Sequence, residues 1–213
     1  NVGAGLPVID TVEHLVQSGD RIHRIDAVLS GTLNYLFSTF GSECGFVDSV
    51  KGAMDAGFTE PDPRIDLSGV DVQRKILILA REAGYTMEMA DVENPGFLPP
   101  ALMEGSVADF LDKLPTAEED MQTRLAQAAS EGLQLRYVAS FELNASGEPK
   151  ARVGLQALPP THAFCQLQGS DNAVMLHTDR YVDRPLVIQG AGAGADVTAM
   201  GVFADIMRFA ATR

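Results

Sequence analysis

Between residues 53 and 75 the chain gathers five acids, Asp55, Glu60, Asp62, Asp66 and Asp71, and one lysine, Lys75, around the stiff turn Pro61-Asp62-Pro63. A lysine held between carboxylates at the mouth of a turn can bind a substrate hydroxyl and move its proton, provided burial and neighbouring charge tune its pKa. Glu60, Asp66 and Asp71 could meanwhile hold the ammonium group of an amino acid. Asp71 and Lys75 are four residues apart, so on a helix they share a face. By itself such a pair is an intrahelical salt bridge worth about a few tenths of a kcal/mol. Asp66 reads as the N-cap of the helix that follows, where an acid meets free N–H groups and the positive end of the helix dipole. Gly57 lets a ligand approach the backbone closely.

The elements that must position these groups are read from periodicity. Residues 8–18 have a helical period closed by Gly19, and residues 21–30 read as a strand. Ser30-Gly31-Thr32 starts a helix, with Ser30 or Thr32 as its cap. A further helix spans residues 46–56 and stops at Gly57. Pro61 and Pro63 forbid helix in the following turn. Residues 66–83 read as one long apolar helix ending at Gly84. Residues 91–105 are proline-rich and loop-like, and residues 107–114 and 117–131 read as polar helices. The period then drops to two in residues 133–143, 150–155, 173–178 and 186–189, which read as strands. Residues 197–211 return to a helical period. Helices early, strands late and a closing helix predict an α/β fold of the α+β kind. In it a mixed, mainly antiparallel sheet is covered by helices.

Composition narrows the function classes. The 213 residues carry a formal charge of −13, which excludes a nucleic-acid surface and disfavours anionic membranes. No apolar run is long enough for a membrane span. Cys44 and Cys165 are far apart with no metal-type spacing, as expected of half-buried thiols in a reducing compartment. His14, His23, His162 and His177 are equally scattered. Neither cysteine sits in a recognisable nucleophile setting, which argues against thioester chemistry.

The acidic segment also resembles a family signature. The alanine at Ala53, the glycine at Gly57, an aromatic at Phe58, an acid at Glu60, then Pro-Asp-Pro, and Asp66-Leu67-x-Gly69-x-Asp71 followed by Lys75 match that of homoserine dehydrogenases without a gap. Ile65 stands where family members often have a second acid. The resemblance implies that Glu60 and Asp71 bind homoserine, that Asp66 supports them, and that Lys75 takes part in proton transfer. Gly57, with Glu60, would lie against a nicotinamide cofactor, NAD(P). Ser30-Gly31-Thr32-Leu33-Asn34-Tyr35 matches too, placing Gly31 and Thr32 at the substrate pocket. In the opening run Val2-Gly3-Ala4-Gly5-Leu6-Pro7, the carbonyls of Val2, Ala4 and Leu6 correspond to a sodium (Na+) site.

The same resemblance organises the chain. Residues 1–189 would form the substrate-binding, catalytic and dimerisation domain. Residues 190–213, opening with Gly190-Ala191-Gly192-Ala193-Gly194, would return to a nucleotide-binding Rossmann domain, with Gly194 near the cofactor. That glycine run is not itself a dinucleotide fingerprint, which needs a strand after its helix and an acid about 20 residues on. Beginning at Asn1 in loop-like sequence, the chain reads as a piece of something longer. The expected partners are therefore an amino-acid substrate, a second copy in a homodimer, and an upstream nucleotide-binding domain with or without an aspartokinase. The expected location is cytoplasmic, or the plastid stroma if the source is a plant. Alone, these residues are expected to turn over little substrate. Two other readings stand beside this one: a non-catalytic oligomerisation and amino-acid-binding module, and a dehydrogenase for a related amino alcohol.

Overall fold

The structure, a computed structural model, describes residues 1–211; Thr212 and Arg213, the last two of the segment 190–213, lie outside the described residues. Among the described residues eight α-helices and six strands follow one another. They are α1 (Val8–Gln17), β1 (Ile22–Val28), α2 (Gly31–Thr39), α3 (Phe46–Asp55), α4 (Pro63–Leu67), α5 (Val70–Glu82), β2 (Val92–Glu93) and α6 (Val107–Lys113). Then come α7 (Glu118–Ser130), β3 (Gln134–Leu143), β4 (Pro149–Leu158), β5 (Asp171–Thr178), β6 (Leu186–Ala191) and α8 (Ala195–Ala211).

The strands form one sheet in the order β2-β4-β3-β1-β5-β6. Every pairing is antiparallel except β2 with β4. The alternation seen in the sequence sets the two faces. Ile25, Ala27, Tyr137, Ala139, Phe141, Val153, Val174 and Leu176 share the main core with α2, α5 and α7. Val28, Val138 and Ala173 point the other way, beneath Phe164 and Leu167 from the connection between β4 and β5. The mixed, mainly antiparallel sheet covered by helices is therefore as expected.

Three local expectations fail for identifiable reasons. Residues 66–83 are not one helix, and Asp66 is not its cap. Asp62 caps a short helix instead, accepting from the Arg64 backbone N–H at 3.0 Å. Pro63, expected to forbid helix here, instead occupies its first turn, where a missing N–H costs nothing. The chain then breaks at Gly69, whose φ of +68° only glycine adopts freely. A side chain there would also begin 1.9 Å from the Tyr137 hydroxyl. The 91–105 stretch, read as loop, contains β2, which is only two residues long and so carries no period to detect.

Helix α8 is unlike the others. None of its residues is buried, and Met200, Val202, Phe203, Ile206, Met207 and Phe209 are all exposed. It is held by backbone proximity: a Cβ on Gly5 would lie 2.1 Å from the Val197 carbonyl oxygen, and one on Gly201 would lie 3.1 Å from Gly5 Cα. Arg208 also pairs with Asp10 of α1 through both carboxylate oxygens.

Candidate active site at the end of strand β1

Four segments meet where β1 ends. Ser30 caps α2 by accepting from the Leu33 N–H at 3.2 Å, as the spacing predicts. Thr32 is not a cap. Its buried hydroxyl approaches the Phe58 carbonyl at 2.5 Å and Asp66 Oδ1 at 2.9 Å. One hydroxyl proton is thus shared between two acceptors, tying α2 to the acidic turn on one side and to α4 on the other. The second carboxylate oxygen of Asp66 accepts the Glu60 backbone N–H at 2.8 Å. Both oxygens of Asp66 are therefore engaged within the protein. It braces the turn that presents Glu60, and that is a positioning role.

Lys75 lies one turn inside α5. Its ammonium donates to the Leu29 carbonyl at 2.9 Å and pairs with Asp71 Oδ2 at 2.8 Å. The ion pair seen in the spacing is real, but the Leu29 carbonyl was not foreseeable from it. That contact pulls the lysine inward, leaving its side chain 21% exposed against 57% for Asp71. With two of three N–H bonds used, the third remains for a ligand oxygen. Lys75 is partly buried, and the acidic turn is joined to its surroundings through Thr32 and Asp66.

Other groups fix this corner. The Asp62 carboxylate is clasped by the Arg64 guanidinium, with Nη2 to Oδ2 at 2.6 Å and Nε to Oδ1 at 2.9 Å. Arg64 also donates to the carbonyls of Met103 and Gly105, at 3.2 and 2.7 Å, stitching the proline-rich segment beneath the turn. Hydrogen bonding to Arg64 holds the Asp62 carboxyl below its ordinary pKa. Burial pushes the Tyr137 hydroxyl, beside Gly69, up to about 12.

The remaining sequence-singled residues spread out. Gly57 has φ +71° with open space around it, so the backbone there is accessible. Phe58 packs against Tyr35 with ring centroids 4.9 Å apart and the planes tilted by 48°. Gly31 abuts Ser170: a Cβ there would lie 2.8 Å from the Ser170 Cβ. Gly194, φ +122°, opens α8 and lines a shallow apolar concavity of about 850 Å³ with Ala195, Thr198, Val202, Phe203 and Ile206. Lys75 is not among the residues that line it. In the opening run, Gly3 and Ala4 both have left-handed backbone, φ +74° and +51°. Ala4 and Leu6 each lend their carbonyls to one hydrogen bond, from Asn1 Nδ2 and the Val8 N–H. Among the described residues no group of three or more His, Cys, Asp or Glu side chains could hold a metal ion.

Sequence reasoning missed the buried amides of Asn34 and Asn172. Asn34 lies inside the Ser30–Tyr35 match and donates to the Gly169 carbonyl at 2.9 Å. The available signal was polarity itself, since each stands beside apolar residues in an otherwise core-facing segment.

Comparison with known proteins adds the family. A family model described as homoserine dehydrogenase matches residues 7–207. A maize bifunctional aspartokinase/homoserine dehydrogenase (Zea mays, chloroplastic) is 46% identical over 211 residues, covering 98% of this chain and 23% of that protein. A homoserine dehydrogenase of Paracoccidioides brasiliensis is 44% identical over 217 residues, covering 97% and 58%. Among solved structures, a hyperthermophilic archaeal homoserine dehydrogenase mutant in complex with NADPH superposes with a TM-score of 0.71 at 24% identity. That match covers 100% of this chain and 54% of the other. The chain thus spans about a quarter of the bifunctional relative and just over half of the fungal one.

Proposed function

The chain belongs to the homoserine dehydrogenase family, and on that premise we propose that it supplies the substrate site of an enzyme that interconverts L-homoserine and L-aspartate 4-semialdehyde. The observation that carries this reading is the Lys75 ammonium, partly buried and held between the Leu29 carbonyl and Asp71. In the reducing direction its free N–H hydrogen-bonds the aldehyde oxygen and passes a proton to it as the alcohol forms. Asp71 and the Leu29 carbonyl fix the direction of that proton. Glu60 and Asp71 bind the substrate's ammonium group. Asp66 and Thr32 hold Glu60 in register with the lysine, so the substrate is oriented before reaction. Hydride transfer is the chemistry that a nicotinamide, when bound, supplies.

The residues present fit such a cofactor. Gly57 leaves backbone open to close approach, and α8 presents a row of exposed apolar residues, among them Val202, Phe203 and Ile206. The 213 residues contain no strand-Gly-x-Gly-x-x-Gly-helix unit, so we assign most cofactor contacts to a nucleotide-binding domain packed on α8. In this division residues 1–189 form the substrate and dimerisation domain, and residues 190–213 complete the other. An aspartokinase unit is a further partner, as the maize relative's name suggests. A sodium ion on the carbonyls of Val2, Ala4 and Leu6 is part of the same proposal; the Ala4 and Leu6 carbonyls, each already accepting one hydrogen bond, keep a second lone pair for it. No helix among the described residues is long and apolar enough to cross a membrane, and the maize relative is named chloroplastic.

The test is direct. The intact protein should reduce NAD or NADP only when homoserine is present, whereas residues 1–213 alone should show little or no turnover. Failure of the intact protein to do so rejects the assignment. A rate for residues 1–213 close to that of the intact protein rejects the division of labour. Calorimetric binding of homoserine without turnover in the intact protein would favour the amino-acid-binding module.

A further inference from the structure

The second residue of β5, paired in the ladder with Gly190 of β6, is an asparagine whose side chain has no hydrogen-bond partner among the described residues. Asn172 is 1% exposed, and among the described residues neither its Nδ2 nor its Oδ1 has a hydrogen-bond partner. Buried carboxamides are ordinarily paired, and one left without partners points to something that completes it. Its position is informative. The β1–β5 register pairs Val28 with Ala173, so the next step sets Asn172 beside Leu29, whose carbonyl holds Lys75. Asn172 shares the core-facing side of β5 with Val174 and Leu176, the side from which α2 and α5 approach. The segment leading into it is pinned to α2 by Asn34 Nδ2 on the Gly169 carbonyl and by the close approach of Gly31 to Ser170.

One residue covers the amide. A Cβ on Gly192 would lie 2.1 Å from Nδ2, 2.2 Å from Cγ and 2.6 Å from Oδ1 of Asn172. Gly192 sits in the run Gly190-Ala191-Gly192-Ala193-Gly194, where Gly194 has φ +122°. Gly190 and Ala191 end β6, paired with Asn172 and Asp171, and the strap that follows, residues 192–194, has glycine at two of its three positions, a conformational freedom that side chains would remove.

We propose that Asn172 is a cofactor-reading residue: its carboxamide pairs with the carboxamide of the nicotinamide ring when residues 192–194 lift from it. The inference rests on the dehydrogenase reading above. The chemistry selects this occupant. An unpaired primary amide offers a donor and an acceptor side by side, which is the complement of another primary amide. The amino-acid substrate instead presents charged groups, which Glu60, Asp71 and Lys75 match. Gly192 is required because any side chain would stand where the Asn172 amide lies.

The test uses the intact protein and binding alone, without substrate turnover. Dissociation constants are measured by fluorescence for the reduced cofactor and for its analogue with an acetyl group in place of the carboxamide. The wild type should prefer the carboxamide form by about tenfold, as a site with a paired polar group rejects a ligand lacking the partner. Asn172→Ala and the volume-matched Asn172→Leu should each reduce that preference to about twofold or less. Asn172→Asp, which retains the acceptor, should restore it. Circular dichroism identifies which variants fold, and either apolar variant suffices. An unchanged preference in a folded apolar variant overturns the proposal and leaves Asn172 satisfied by a buried water only. No preference in the wild type overturns it equally. A wild type that binds no nicotinamide cofactor at all removes the dehydrogenase reading itself, which is a separate result.

Discussion

Lys75 shows how a residue acquires a chemical role from one contact. Spacing alone makes it half of a surface ion pair, and exposed pairs of that kind contribute little. The Leu29 carbonyl converts it into an oriented donor with a single free N–H. We therefore expect Lys75→Ala in the intact protein to lower kcat by about 10²–10⁴-fold, the range for losing a positioned proton donor. Cofactor affinity measured by fluorescence should change less than threefold. Full activity in this variant would end the assignment. Thr32→Val keeps shape but removes the hydroxyl that joins Phe58 and Asp66. It should raise KM for homoserine by about tenfold, since a lost hydrogen bond to a charged group is worth roughly 1.5–3 kcal/mol. An unchanged KM would show that Glu60 does not depend on this brace.

At the scale of elements, helix ends decide where the chemistry sits. Gly69 ends α4 and starts α5 in one residue, because it alone accepts φ +68° and leaves room for Tyr137. Gly69→Ala should destabilise the fold by about 2–5 kcal/mol, adding backbone strain to overpacking, as read by urea unfolding. A loss under about 1 kcal/mol would mean that the turn yields easily. Helix α3 is capped from another element. Glu118, at the start of α7, accepts the N–H groups of Phe46 and Val47 at 2.9 and 2.8 Å. Burial opposes ionisation of Glu118, but those two donors and Gln122 outweigh it and hold the pKa below its ordinary value. A carboxyl depressed in the folded state stabilises above its unfolded pKa of about 4.5 and loses that contribution as pH falls through the folded value. Thermal melts of wild type should therefore lose stability below about pH 4.5, and Glu118→Gln should flatten that part of the profile. Parallel profiles for the two proteins would remove the cap from the account.

At the scale of the molecule, α8 stands out for what it leaves open. Its apolar residues are exposed along most of its length while its backbone is pressed against Gly5 through Gly201. A helix with so much exposed apolar surface is a surface awaiting a partner. Backbone amides of α8 in residues 1–213 alone should exchange with deuterium at least tenfold faster than in the intact protein, while those of β1 and β3 exchange alike in both. Equal rates for α8 would mean that no nucleotide-binding domain covers it.

Much of this was legible in one dimension. The alternation of residues 133–143 and 173–178 identified β3 and β5, because the side-chain period of a strand is a local property. The unbroken match from Ala53 to Lys75 named the family, because turn-forming prolines and glycines must recur at fixed offsets to aim the same acids. Sequence alone thus determined the family and pointed to the acids and lysine of one turn as its candidate site. Only the tertiary structure decided that Asp66 braces Glu60 and does not cap a helix, that Leu29 supplies the second anchor for Lys75, and that Asn172 lies unbonded beneath Gly192. Those are contacts between residues 6 to 46 positions apart or on different strands. Their partners are backbone carbonyls and amides that every residue possesses, so no residue type in the sequence could announce them.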